Sequence, residues 1–185
     1  MPGKALFLDR DGIINVDTGY VSKPQQVTFV AGIFEVIARF VAAGYTPVIV
    51  TNQSGIGRGM YTETDFHQLS EWMQSQFTRQ GLPAIPVYYC PHHPTEAIAG
   101  YLQSCACRKP EPGMILQATR DHGLALDESL LIGDSWRDIQ AADAAGVSRK
   151  VFVSTQAKPA QTISGVLQVG SVSAILDADT LAGLL

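Results

Sequence analysis

Short apolar runs alternate along this chain with longer stretches in which apolar residues recur every three or four positions. Ala5-Leu6-Phe7-Leu8 is a run of the first kind and predicts a buried strand, stopped by the turn signal Asp9-Arg10-Asp11-Gly12. Phe34, Ile37, Ala38, Val41 and Ala42 share one face of a helix that Gly44 ends. Pro47-Val48-Ile49-Val50 predicts a second strand, running into the glycine-rich loop Thr51-Asn52-Gln53-Ser54-Gly55-Ile56-Gly57-Arg58-Gly59. Thr62-Glu63-Thr64-Asp65 has the form of a helix start, with Phe66, Leu69, Trp72, Met73 and Phe77 as the buried face. Val87-Tyr88-Tyr89 predicts a short third strand. Residues 90–111 carry prolines and little periodicity, a long connection of the kind that is usually functional or held by something. Beyond Pro112-Gly113, Met114, Ile115, Ala118 and His122 fit a helix, and Leu130-Leu131-Ile132-Gly133 a strand that stops at Asp134. Ile139, Ala142 and Ala145 predict a helix closed by Gly146, followed by a strand at Val151-Phe152-Val153. Val166-Leu167-Gln168-Val169 adds an edge strand before a short C-terminal helix. Strands alternating with helices imply an α/β fold, a Rossmann-like parallel sheet sandwiched by helices. With 185 residues and no linker or repeat, a single domain over 1–185 is expected.

Composition narrows the classes. Apolar residues make up 46% and charged residues 16%, which excludes a disordered chain. Seventeen acidic against 13 basic residues give a formal charge of −4, so no nucleic-acid partner is expected. The N-terminal apolar run is too short for a signal peptide, and no stretch approaches the roughly 20 apolar residues of a membrane span. The expectation is a cytoplasmic protein with no membrane partner; nothing in the sequence demands a dimer, so a monomer is expected.

In an open α/β sheet the ligand lies beyond the carboxyl ends of the strands. Asp9-x-Asp11-Gly12, Thr51-Asn52 and Gly133-Asp134 all fall at such ends. Three carboxylates brought to one crevice repel unless a cation neutralises them, and their oxygens suit Mg²⁺. Asp-Gly is also an ordinary turn pair, and Asp134 can equally serve as a helix N-cap. Thr51 offers a hydroxyl and the glycine-rich loop can turn N–H groups toward an anion, although a tight turn explains those glycines as well. Lys109, ahead of the next helix, can neutralise a phosphoryl group.

All three cysteines lie in the long loop. Cys90-x-His92 and Cys105-x-Cys107 supply four soft or borderline ligands, as a closed tetrahedral Zn²⁺ site requires. His93 competes with His92 for the fourth place, whereas His67 and His122 sit on helices. A zinc with every position filled is structural, and would tie down loop 90–108 so that it delivers Arg108 and Lys109 to the crevice.

Asp9-Arg10-Asp11-Gly12, Thr51-Asn52, Lys109 and Gly133-Asp134-Ser135-Trp136-Arg137-Asp138 resemble the four ordered motifs of the haloacid dehalogenase (HAD) superfamily, over nearly the whole chain. The resemblance implies a HAD-like Mg²⁺-dependent phosphatase working through an aspartyl-phosphate. Asp9 would be the nucleophile and Asp11 the general acid and base. Mg²⁺ would be held by Asp9, the backbone carbonyl of Asp11 and Asp134, with Asp138 in support. Ile13 departs from the family, which most often has threonine there. Cys90-Pro91-His92-His93-Pro94 with Cys105-Ala106-Cys107-Arg108-Lys109-Pro110 is similar to the zinc-containing histidinol-phosphate and heptose-bisphosphate phosphatase branch. Asn15-Val16-Asp17-Thr18-Gly19-Tyr20-Val21 and the loop at 51–59 lean toward its heptose members. That implies a small-molecule sugar bisphosphate as partner, with Asp17, Gly19 and Tyr20 shaping its pocket. Thr51, Asn52, Gln53, Ser54, Arg108 and Lys109 would hold the phosphoryl end. A histidinol-phosphate phosphatase and a non-catalytic zinc-loop binding module remain the alternatives. Only about 20 residues separate the first strand from the first helix, so no large cap domain is expected.

Overall fold

The computed structural model describes residues 2–159 and 162–185. Its strands are β1 (Gly3–Leu8), β2 (Tyr45–Asn52), β3 (Val87–Cys90), β4 (Leu124–Gly133), β5 (Arg149–Val153) and β6 (Val166–Val169). The helices are α1 (Ile33–Ala42), the single turn α2 (Ser54–Gly57), α3 (Glu63–Arg79), α4 (Gly113–His122), α5 (Trp136–Ala145) and α6 (Ala178–Leu184). All pairings are parallel, in the order β3-β2-β1-β4-β5-β6.

Strand β1 explains the layering. Its side chains alternate between faces. Leu6 and Leu8 pack with Ile33, Val36, Ile37 and Phe40 of α1 and Leu69, Met73 and Phe77 of α3. Ala5 and Phe7 point the other way, to Met114, Ile115 and Ala118 of α4 and Ile139 and Ala142 of α5. Both faces are covered, so the strand reads as an unbroken apolar run. The expected three-layer α/β fold without a large cap is what forms.

Strand β4 starts six residues earlier than the apolar run at Leu130 implied. Its pairing with β1 jumps from Lys4↔Ala125 to Leu6↔Leu130, and the intervening residues bulge out. Ser129 plugs the irregularity, its hydroxyl accepting from the Ala5 N–H at 2.8 Å. Polar Asp127 and Glu128 lie on this bulge and hide the first half of the strand from a hydrophobicity reading. Strand β2 likewise runs on through Thr51 and Asn52, and the glycine-rich loop includes the turn α2 rather than being open throughout. Asp134 is not the cap of α5; Ser135 is, accepting from the Arg137 N–H while Asp138 accepts from the Ser135 N–H.

Strands β2 and β3 step to one side of β1, and β4, β5 and β6 to the other. The order of strand addition therefore reverses between β1 and β4, and the carboxyl ends of β2, β1 and β4 lie side by side at that point.

Candidate active site

At this switch point opens a cavity of about 540 Å³, with Asp9, Asp11, Asp17, Asn52, Lys109, Asp134 and Arg137 among its lining residues. Asp9 follows β1, and its Oδ1 accepts from the Lys109 ammonium at 2.9 Å and from the Arg10 N–H at 2.8 Å. Lys109 is 3% exposed and its three protons are all engaged, by Asp9, by Asp138 at 2.7 Å and by the Val50 carbonyl at 2.8 Å. Asn52 grips the peptide of Lys109 from both sides: its Oδ1 accepts from the Lys109 N–H at 3.0 Å and its Nδ2 donates to the Lys109 carbonyl at 3.1 Å. Strand β2 thus fixes where the lysine enters from the long loop.

Asp9, Asp134 and Asp138 bring carboxylate oxygens within 4.8 Å of one another. Two glycines allow it. Gly12, at φ 87°, leaves room for the Asp134 carboxylate, which a Cβ there would overlap, and a Cβ on Gly133 would strike the Asp138 side chain. Burial pushes Asp9 up to about 7, opposed by the charge of Lys109 and aided by Asp138. Burial and the Asp138 charge push Asp134 up to about 6. Burial works against the charge of Lys109, but Asp138 and Asp9 outweigh it and hold the ammonium above the ordinary lysine range. One lysine among three acids leaves negative charge uncompensated. That charge, and the oxygen-only donor set, fit Mg²⁺.

Asp11 is gripped differently. Its carboxylate accepts from the Arg10 guanidinium, from Asn15 Nδ2 at 2.9 Å and from Gln53 Nε2 at 3.0 Å. Tyr61 donates in turn to Gln53 Oε1 at 2.5 Å. Asp17, Gly19 and Tyr20 form one wall, where the Asp17 carboxylate accepts from the Gly19 N–H and Tyr20 takes a positive φ of 51°. Gln53 and Ser54 line the cavity from the loop after β2. Thr51 is buried beneath them, its hydroxyl accepting from Gln53 at 2.8 Å. Arg108 lines the neighbouring hollow, which shares Lys109 and Arg137 with the crevice, and donates to the His92 carbonyl at 3.2 Å.

In the long loop the Cys90 sulfur lies 2.8 Å from that of Cys107 and 3.4 Å from that of Cys105. His92 Nδ1 is 3.4 Å from the Cys107 sulfur. The three thiols are free, and the four donor atoms lie within 4.8 Å of one another. His93 faces away, its ring contacting Arg58, Thr95 and Glu96. Hydrogen bonding from the neighbouring thiols, Cys90 first, pulls Cys107 down to about 5, while Cys90 is raised by the same contact. Three sulfurs and one imidazole nitrogen around a common centre fit a tetrahedral Zn²⁺.

A family model described as HAD-hydrolase-like matches residues 106–168. The D-glycero-alpha-D-manno-heptose-1,7-bisphosphate 7-phosphatase of Burkholderia mallei is 49% identical over 153 residues, 83% of this chain and 81% of that protein. The chain belongs to the heptose-bisphosphate phosphatase family of HAD-like hydrolases. The corresponding enzyme of Vibrio cholerae, named for the beta anomer, is 45% identical over 84% of this chain and 83% of its own. The D,D-heptose 1.7-bisphosphate phosphatase structure from B. bronchiseptica, complexed with magnesium and phosphate, has a TM-score of 0.79 at 29% identity, covering 98% of this chain and 99% of that one. A putative had-like phosphatase from Mesorhizobium loti reaches a TM-score of 0.86 at 32% identity, over 99% and 86% of the two chains.

In this heptose-bisphosphate phosphatase family member, Ile13 is fully buried in the core beside Ile14, so the departure from threonine is absorbed by packing. Arg10, Tyr61 and Arg137 lie in or against the site although the sequence did not single them out. Arg10 stood inside the quoted motif as an intervening residue, and its burial was the missing signal. Arg137 is the second residue of α5, beside a motif aspartate, a placement legible only once Ser135 is known to be the cap. Nothing in the local pattern marks Tyr61.

Proposed function

We propose that this protein removes the 7-phosphate of D-glycero-D-manno-heptose 1,7-bisphosphate. In this reading it acts in the cytoplasm as a single-domain monomer, in the synthesis of nucleotide-activated heptose for the lipopolysaccharide core. The observation that carries the reading is the set of relatives bearing that activity in their names, 44–49% identical over about four fifths of both chains.

The side chains can be given roles accordingly. An Asp9 oxygen attacks phosphorus in line; the new O–P bond forms as the bond from phosphorus to O7 breaks, and O7 takes a proton from Asp11. Water then attacks the same phosphorus and yields its proton to Asp11. The Asp9–phosphorus bond breaks, releasing inorganic phosphate. Two displacements replace one difficult hydrolysis, and proton transfer of this kind contributes roughly 10²–10⁴-fold. Lys109 balances charge on the transferring oxygens, and Asp138 orients it. Asp9, Asp134 and the Asp11 carbonyl would hold Mg²⁺, which when bound shields the nucleophile from the incoming phosphate. Asn52, Gln53, Ser54 and Arg108, with the Thr51 hydroxyl beneath them, serve the phosphoryl end, and Asp17, Gly19 and Tyr20 the sugar. Zn²⁺ on Cys90, His92, Cys105 and Cys107 would be structural.

The relatives are named for both anomers, so the test is phosphate release from the alpha and beta heptose bisphosphates and from histidinol phosphate, with Asp9→Asn as control. Turnover of a heptose bisphosphate that Asp9→Asn abolishes is the expected result. Preference for histidinol phosphate would replace the substrate. Equal turnover by the variant would remove Asp9 as nucleophile.

A further inference from the structure

Arg10 is 2% exposed, between the two aspartates of the strand-end motif, and its guanidinium faces Asp11 rather than the open cavity. Its Nε and Nη2 lie 3.2 and 3.0 Å from Asp11 Oδ1, and Nη2 lies 2.9 Å from Oδ2. The same Nη2 donates to the carbonyl of Val21 at 2.9 Å. Phe66 lies against the guanidinium, with its ring centre 5.8 Å away.

With Asn15 and Gln53, these contacts reach both oxygens of the ionised carboxylate, the form that takes the proton of the attacking water. The protonated form that serves the leaving oxygen can keep the Arg10 and Asn15 contacts on Oδ1 and carry its proton on Oδ2. Asp11 cannot swing without displacing the guanidinium. Nor can the guanidinium move without releasing Val21, which closes the segment carrying Asp17, Gly19 and Tyr20 on the cavity wall. One buried cation therefore joins the carboxyl group that must face the leaving oxygen to the loop that faces the sugar.

We propose that Arg10 is a positioning residue: it fixes the Asp11 carboxyl for proton transfer and makes that pose depend on the seating of segment 16–22. The inference rests on the reading of Asp11 as proton donor. A fork of several donors holds a carboxylate in plane as well as in place, which a single ammonium cannot do. Bonds formed to loop and carboxylate by the same nitrogen couple the two directly.

The test compares leaving groups. Nitrophenolate departs without a proton, whereas an alkoxide needs one, so loss of Asp11 positioning falls on alkyl phosphates. In the metal-loaded protein, Arg10→Met is expected to lower kcat for an alkyl phosphate at least about 10-fold more than the initial burst of nitrophenolate from p-nitrophenyl phosphate. Arg10→Lys, which keeps the charge in the buried site, is expected to show the same selectivity in weaker form and decides the matter if Arg10→Met does not fold. Amide hydrogen exchange over residues 16–22 should quicken in Arg10→Lys. An equal fall on both substrates would make the role merely structural and overturn the proposal, and unchanged exchange would remove the coupling to the loop. Wild-type turnover of the heptose bisphosphate tests the substrate assignment separately, since the ratio between leaving groups does not depend on the natural sugar.

Discussion

Gly12 has two reasons to be glycine, and both act at the metal pocket. Its φ of 87° lies where a side chain costs roughly 1–2 kcal/mol, and its missing Cβ is the space that the Asp134 carboxylate fills. Gly12→Ala is therefore expected to lower stability by about that amount and to raise the Mg²⁺ concentration needed for half-maximal activity. Thermal melting and a metal titration check it, and an unchanged titration would contradict the account. Arg137 is exposed on the lip between the crevice and the hollow that Arg108 lines. Burial, then the charge of Arg137, lowers the pKa of Arg108. A bisphosphate has a second anion to place there. Arg137→Ala is expected to raise KM for the bisphosphate about 10–100-fold more than for a monophosphate, the range of one charge-assisted contact. Steady-state kinetics on the pair measures it.

At the scale of elements, the loop between β3 and α4 has little regular structure, and its only repeated signal is the ligand pattern. It has just one 3₁₀ turn at Ala99–Tyr101 and an isolated bridge between His93 and Leu102. Its sulfur cluster anchors to Cys90 at the buried end of β3, and two residues past the last ligand comes Lys109. A zinc held by these four ligands would therefore determine, together with the Asn52 grip, where the lysine enters the crevice. Cys107→Ser is expected to reduce zinc below the roughly one equivalent of a closed site and to speed amide exchange across residues 91–111. Turnover should fall with it. The β-sheet signal in circular dichroism should persist, because the strands are held by the two apolar layers. Full zinc occupancy in the variant would remove Cys107 from the ligand set. The ligand pattern was legible in the sequence because cysteine and histidine declare their chemistry. The bulge in β4 was not, because its polar residues interrupt the only signal a strand offers.

Over the whole molecule, a net charge of −4 has to be reconciled with the polyanionic substrate proposed above. The metal-free crevice concentrates buried carboxyl groups that resist ionising. Because the folded pKa of Asp9 lies near 7 and that of Asp134 near 6, the folded protein retains protons that the unfolded chain releases near pH 4. Their contribution to stability is present below about pH 4 and is lost as pH rises through 6 to 7. Chelated protein is thus expected to lose stability over that window, and Mg²⁺, which competes with those protons, to raise Tm more at pH 8 than at pH 5. Melting curves at the two values decide it; an equal shift would place the metal elsewhere. Among the described residues no helix is long and apolar enough to cross a membrane. The alternation of apolar runs with helical periodicity determined the layers, because burial on two faces leaves a periodic trace in the chain. The motif aspartates, Lys109 and the cysteine ligands were likewise visible as residue types at strand ends and fixed spacings. What only the tertiary structure decided is who faces whom. Asn52 clamps a peptide, Thr51 lies beneath Gln53, Arg10 grips Asp11, and Arg137 joins the lip. These are contacts between segments distant in sequence or side chains turned by packing, and one-dimensional spacing carries no record of direction.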